Sequence, residues 1–135
     1  MKQNKRLERY KQKIRFVAEK IGSLPMPDNA VAVDATLYRL QTAIDASMDV
    51  VAMLVKDYGL EVSDDYSNIS KLFKTKVFSK KLSEDLTMLN GLRNAIVHKY
   101  NSFDEETVLE QINEIVGILQ VFLGRIENEI KTIFK

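Results

Sequence analysis

DEETVLEQINEIVGILQVFLGRIENEIKTIF, residues 104–134, is the stretch on which the fold turns. Its apolar residues Leu109, Ile112, Val116, Leu119, Leu123, Ile126, Ile130 and Ile133 are spaced 3, 4, 3, 4, 3, 4, 3. Side chains three and four residues apart share one side of an α-helix, so this spacing lays a single apolar stripe along a helix from about Asp104 to Phe134. Ser102 or Asp104 suits its N-cap, and the carboxylates of Asp104, Glu105 and Glu106 suit the positive end of its dipole.

The same period recurs upstream. Val33, Leu37, Leu40, Ile44, Met48, Val51, Val55 and Tyr58 mark a helix that starts after Pro25-Met26-Pro27, with Asp28 as its cap, and ends at Gly59. Leu7, Tyr10, Ile14, Val17 and Ile21 mark another over about 4–21, closed by Gly22 and the prolines. Between 63 and 100 the pattern is more broken. Tyr66, Ile69, Leu72 and Phe73 suggest a short helix, and Leu82, Leu86, Leu89, Leu92 and Ile96 a longer one from about Ser79. No strand alternation or repeat competes. The expectation is an all-α, up-and-down four-helix-type bundle with a short extra helix, in one domain spanning 1–135.

Composition narrows the function classes. There are no cysteines and a single histidine among 135 residues, which excludes disulfides and thiolate metal sites and argues against a zinc site within one subunit. No metal and no cofactor is therefore expected. The amino terminus is charged and the longest apolar run, Val50–Val55, is six residues, so neither a signal peptide nor a membrane span is expected, and the reading is cytoplasmic. The net charge of +1 conceals a division along the chain. Residues 1–20 carry eight Lys/Arg against two Glu, residues 71–81 carry five Lys and no acid, and residues 104–135 carry seven acids against three bases. Such segregation suits an anionic partner held on one face, although each run is equally readable as a solvated helix face.

The fourth stripe runs into GLRNAIVHKYN, residues 91–101, which holds the only histidine, His98. Gly91 interrupts a helical pattern, which costs about 1 kcal/mol relative to Ala, so it marks a kink or the close approach of another backbone, for which a second subunit is preferred. On a straight helix Arg93 and His98 point about 140° apart, whereas Asn94 and His98 are neighbours. The set assembles in one protomer only if the helix ends or bends near His98; otherwise a twofold dimer brings the groups together.

The residue types are those of metal-free RNA strand cleavage. An imidazole with an ordinary pKa of about 6.5 exchanges protons with a ribose 2′-hydroxyl or a leaving oxygen near neutrality. A guanidinium clamps a phosphate as negative charge builds on it. A tyrosine stacks on a base or donates to phosphate. Lys99, Lys76, Lys80 and Lys81 are candidates for non-specific contact with the RNA backbone. Taken singly, each residue also has a plainer role: His98 as a helix-end cap, Arg93 as a surface ion-pair partner, Tyr100 as a core edge, Asn90 and Asn94 as partners for nearby backbone.

Arg93, His98 and Tyr100 together form the string Arg-x4-His-x-Tyr, which resembles the signature of HEPN-domain ribonucleases, and more closely the HepT-like toxins of HEPN/MNT toxin–antitoxin systems. The resemblance extends to 37–55, similar to that family's long second helix, to 88–100, its motif helix, and to 104–133, its last; residues 60–82 match only loosely. It implies a homodimeric HEPN bundle whose paired motifs line a shared cleft and cleave RNA without metal. Arg93 and His98 would then be catalytic, Asn94 a supporting polar residue, and Tyr100 the residue to which a nucleotidyltransferase antitoxin transfers AMP. Asp45 and Asp49, one turn apart on the second helix, would face the cleft or simply be solvated. The alternative is a non-catalytic HEPN module that binds nucleotide, RNA or a protein partner.

Overall fold

The computed structural model describes residues 2–98 and 104–135; Lys99, Tyr100 and the possible cap Ser102 lie outside them. The described chain is built of helices α1 (Lys2–Gly22), α2 (Ala30–Asp57), α3 (Asp65–Lys74), α4 (Lys80–His98), α5 (Glu105–Glu110) and α6 (Ile112–Ile133), with no strand among the described residues. Four long helices and the short α3 fall where the periodicity places them.

The ends of α2 show how local chemistry sets its length. Its N-cap is Asn29, one residue beyond the expected Asp28: the Asn29 side chain accepts from the Ala32 backbone N–H at 2.9 Å. At the other end Gly59 takes φ 75, a left-handed conformation that costs a glycine little. The Leu60 N–H then reaches the Val55 carbonyl and the Gly59 N–H the Lys56 carbonyl, satisfying two of the last orphan acceptors in a Schellman motif.

Between its ends α2 is the central helix, packing against α1, α3, α4 and α6. The single stripe expected for it is too narrow. Ala43, Ile44, Ala46, Ser47, Met48, Val50 and Val51 are all buried, which wraps apolar or small residues round most of the helix, as a helix with neighbours on several sides requires. Ser47 is accommodated because its hydroxyl donates to the Ala43 carbonyl at 2.9 Å.

The last segment departs from the expected single helix. It is interrupted at Gln111, whose N–H bonds the Val108 carbonyl three residues back. Such a 3₁₀-type step turns the chain by about 20° more than an α-helical one. The buried face lies to one side of the expected stripe: Val108, Ile115, Ile118 and Phe122 reach the core, while Leu109, Ile112 and Val116 are only half-buried. Phe122 meets Phe78 edge to face at 6.2 Å. Of the two caps considered, Asp104 serves: its carboxylate accepts from the backbone of Glu106 and Thr107 and from the Thr107 hydroxyl at 2.7 Å.

Polar ties lock the helices in register. Arg39 of α2 reaches the carbonyls of Glu19 and Lys20, closing the C-terminal end of α1. Tyr10, fully buried, donates to Asp57 at 2.6 Å beside Arg6, and burial together with that carboxylate pushes its phenol well above the usual range. Tyr58 donates to the buried Glu129 at 2.7 Å, and burial with the same hydrogen bond pushes it up to about 12.

Candidate active site

The motif helix α4 presents two faces. Leu82, Leu86, Leu89 and Ile96 are buried, with Leu92 half-buried, so the stripe read from the sequence anchors α4 to the bundle. That anchoring fixes the direction of everything between. Gly91 lies within an uninterrupted helix, and a Cβ added there would meet the Tyr66 hydroxyl of α3 at 3.6 Å, an ordinary contact. Its neighbour in this protomer is therefore a side chain of its own α3.

Arg93 points toward α2. Its Nε donates to Asp45 Oδ1, and its Nη1 donates to Asn94 Oδ1 at 2.9 Å. Two of its nitrogens are thereby oriented by fixed partners, while Nη2 has no hydrogen-bond partner among the described residues. The side chain remains 30% exposed, and Nη2 is the guanidinium nitrogen not committed to a partner among the described residues.

Further carboxylates surround it. Asp65, the first residue of α3, is raised above the usual carboxylate range chiefly by burial; Arg93 pulls in the opposite direction, and Asp49, Asp45 and Asp64 push the same way as burial. Asp45 and Asp49 thus do lie on the motif side of α2. Asp49 is paired with Lys13 of α1 at 2.8 Å. Asp65 left no trace in the sequence reading, because its proximity to Arg93 depends on how α3 docks across α2 and α4.

His98 is exposed and is the last residue of α4. Since the helix runs through to it, Arg93 and His98 keep the roughly 140° divergence of a straight helix, and Asn94 is the motif residue on the histidine's side. Lys99 and Tyr100 follow outside the described residues. The other candidate lysines are not at this end. Lys80 and Lys81 open α4, about 27 Å from His98 along the helix axis at 1.5 Å per residue, and Lys76 lies in the turn before it. Lys81 is paired with Asp85 at 3.2 Å, and Lys76 adopts φ 66 as the residue that ends α3. Among the described residues no group of three or more His, Cys, Asp or Glu is placed to hold a metal ion, and no helix is long and apolar enough to cross a membrane.

The all-α bundle has counterparts among solved structures. A chain of a mutant MntA–HpeT toxin–antitoxin complex superposes with a TM-score of 0.79 at 16% identity, covering 89% of this chain and 98% of that one. The tri-AMPylated HEPN toxin of Shewanella oneidensis in complex with an MNT antitoxin gives 0.72 at 18%, covering 93% and 96%. The fold is therefore that of the HEPN toxins. Two proteins of Archaeoglobus fulgidus named "Putative RNase" are 40% identical over 129 residues, 95% of this chain and 98% of theirs, and 44% identical over 119 residues, 84% and 89%. The family model for ribonuclease HepT-like proteins matches residues 6–126. The chain belongs to the HepT-like ribonuclease family.

Proposed function

We infer that the protein is the toxin of a toxin–antitoxin pair and cleaves RNA internally without a metal, through Arg93 and His98. The observation that carries this reading is the arrangement of Arg93, held by Asp45 and Asn94 with Nη2 uncommitted among the described residues, on the same helix that ends at exposed His98. In the reaction His98 takes the proton of a ribose 2′-hydroxyl as its oxygen attacks the adjacent phosphorus. The bond to the 5′-oxygen breaks, that oxygen takes up a proton, and the products are a 2′,3′-cyclic phosphate and a 5′-hydroxyl. Arg93 stabilises the charge gathering on the phosphoryl oxygens.

The divergence of Arg93 and His98 along one straight helix favours a homodimer in which each cleft draws on both motif helices. Tyr100, two residues beyond His98, would accept AMP from an MNT-type nucleotidyltransferase antitoxin: its phenol oxygen attacks the α-phosphorus of ATP and pyrophosphate leaves. The added phosphate places negative charge and bulk where the RNA phosphate would sit. Support comes from the HEPN toxin neighbour, whose solved form is AMPylated and bound to an MNT antitoxin. Lys99 would hold the RNA backbone beside the site, whereas Lys76, Lys80 and Lys81 could touch only a distant part of the strand. Action in the cytoplasm, where RNA and antitoxin meet, completes the reading.

A second reading, a non-catalytic HEPN module, is favoured by one feature: Arg93 is already engaged with a carboxylate, which weakens its call on phosphate. Single-turnover cleavage by wild type, Arg93→Ala and His98→Ala separates the two. The toxin reading expects cleavage from wild type and loss in both variants with the melting temperature preserved. Salt-sensitive RNA binding without turnover in all three would support the binding module.

A further inference from the structure

We propose that single-stranded RNA approaches the active site along α1, on a strip formed by Lys5, Arg9, Gln12 and Phe16 that runs to Asp45, the residue holding Arg93. The proposal rests on the ribonuclease reading above. Two shallow surface grooves carry it. One, of about 460 Å³, lies along α1 between Lys5, Arg9 and Gln12. The other, of about 400 Å³, lies between α1 and α2 and is lined by Gln12, Lys13, Phe16, Thr42, Asp45 and Asp49. They adjoin at Gln12, which lines both, and Asp45, the partner of Arg93, lines the second. Lys5, Arg9, Gln12 and Phe16 follow one another at helical spacing on the exposed side of α1.

The charge on the strip suits a polyanion. Its bordering acids are each balanced: Glu8 by Lys11 at 3.9 Å, Asp49 by Lys13 at 2.8 Å and Asp45 by Arg93. Lys5 and Arg9 have no ion-pair partner among the described residues, leaving their charge available to phosphate. Phe16 is 39% exposed, and the Lys20 ammonium lies over one face of its ring at 5.1 Å, so a cation and a part-exposed aromatic ring adjoin on the strip. An exposed aromatic ring stacks any nucleobase, and only an unpaired strand offers one. The lysine-rich 71–81 run is the weaker candidate. Lys71 is bound to the Glu61 carbonyl and the Ser63 hydroxyl, Lys81 is paired with Asp85, and the run lies at the end of α4 remote from His98.

The test uses full-length protein carrying His98→Ala, so that RNA is held uncut, and a fluorescein-labelled single strand of about 12 nucleotides, within the range one binding groove covers. Affinity is measured by anisotropy over a range of salt. The double variant Lys5→Gln/Arg9→Gln is expected to make the salt dependence shallower by about 1.4 in log–log slope, two phosphate contacts at about 0.7 each. Phe16→Ala is expected to weaken binding at least about fivefold at fixed salt. Lys80→Gln/Lys81→Gln is measured beside them, and a larger loss there than in α1 would overturn the proposal. Unchanged affinity and slope in the α1 variants would overturn it as well, and is the result expected if the strip docks an acidic protein instead. Cleavage by the His98 protein separates the two levels: cleavage with indifferent α1 variants removes only the strip, whereas absence of both cleavage and binding removes the ribonuclease reading.

Discussion

At the scale of single residues, Asp45 carries the most consequence. In the proposed reaction its bond to Arg93 would orient a flexible guanidinium before RNA binds, and misplacing a charge-stabilising group by about 1 Å costs on the order of 10²-fold in rate. Asp45→Asn keeps the shape and removes the charge. It is expected to lower kcat roughly tenfold to a hundredfold with little change in KM, and to leave the melting temperature nearly unaltered because a half-exposed pair contributes at most about 1 kcal/mol. A drop in stability without a change in kcat would make Asp45 merely structural. Gly91 gives a second check. Because a Cβ there meets only an ordinary contact, Gly91→Ala should raise stability by about 1 kcal/mol, seen as a few degrees in the melt of the monomer. If the residue instead admits a second subunit, the same change weakens self-association, which sedimentation reads directly. In the sequence, Arg93, Asn94 and His98 were legible because they fall within one short string. Asp45 was visible only as a carboxylate on a helix face, and Asp65 not at all, since contacts separated by 48 residues, such as Asp45 to Arg93, are made by packing rather than spacing.

At the scale of elements, apolar periodicity was a reliable guide to where helices lie and a poorer one to which side is buried. It located α1, α3 and α4 to within a few residues and the buried faces of α1 and α4 closely; on α3 Ile69 and Leu72 are buried as expected, but Tyr66 and Phe73 are exposed. It was too narrow on α2, where several neighbours widen the buried arc and leave the face of Asp34, Tyr38, Asp49 and Lys56 exposed, and it failed on the final segment, where the turn at Gln111 contains neither Gly nor Pro and so carries no breaker signal. The N-terminus of α3 supplies a pH prediction. Asp65 is raised in the folded protein, so folding favours its protonated form. Its contribution is a penalty that is absent below the unfolded value near 4, grows as pH rises through the folded pKa, and is complete above it. Asp65→Asn should therefore stabilise the protein at pH 7, with the difference from wild type shrinking as pH falls and vanishing in denaturant melts at about pH 3, below the unfolded value. A difference of constant size across that range would assign the effect to packing. Asp64 and Asp104 lie the other way: hydrogen bonds from Ser67 and Thr107 hold both below the ordinary range, so their stabilisation is present above that range and is lost on acidification.

At the scale of the whole molecule, the proposed homodimer answers a geometric problem posed by the single protomer. A helix that stays straight through His98 turns Arg93 and His98 to different sides, and a twofold axis is the simple way to bring one against the partner's other. Mixing Arg93→Ala with His98→Ala protein after subunit exchange tests this. If each cleft combines Arg93 of one protomer with His98 of its partner, half the dimers are mixed and one of their two clefts is intact, restoring roughly a quarter of wild-type activity. No recovery would mean that each protomer supplies both groups to its own cleft. The overall architecture was legible because four apolar stripes in 135 residues have few ways to bury one another, and the family because its motif is contiguous. The charge pattern was legible as a pattern and its geography only in part: the length of α4 sets Lys80 and Lys81 far from His98, whereas only the packing of α1 on α2 brings Lys13 beside Asp45 and Asp49. The measurement that tests the central claim most directly is cleavage of RNA in excess chelator by protein whose intact mass shows no adduct, with His98→Ala beside it and the product ends identified. The account predicts fragments ending in 2′,3′-cyclic phosphate from wild type and none from the variant; intact RNA from unmodified wild type, or cleavage surviving His98→Ala, would contradict it.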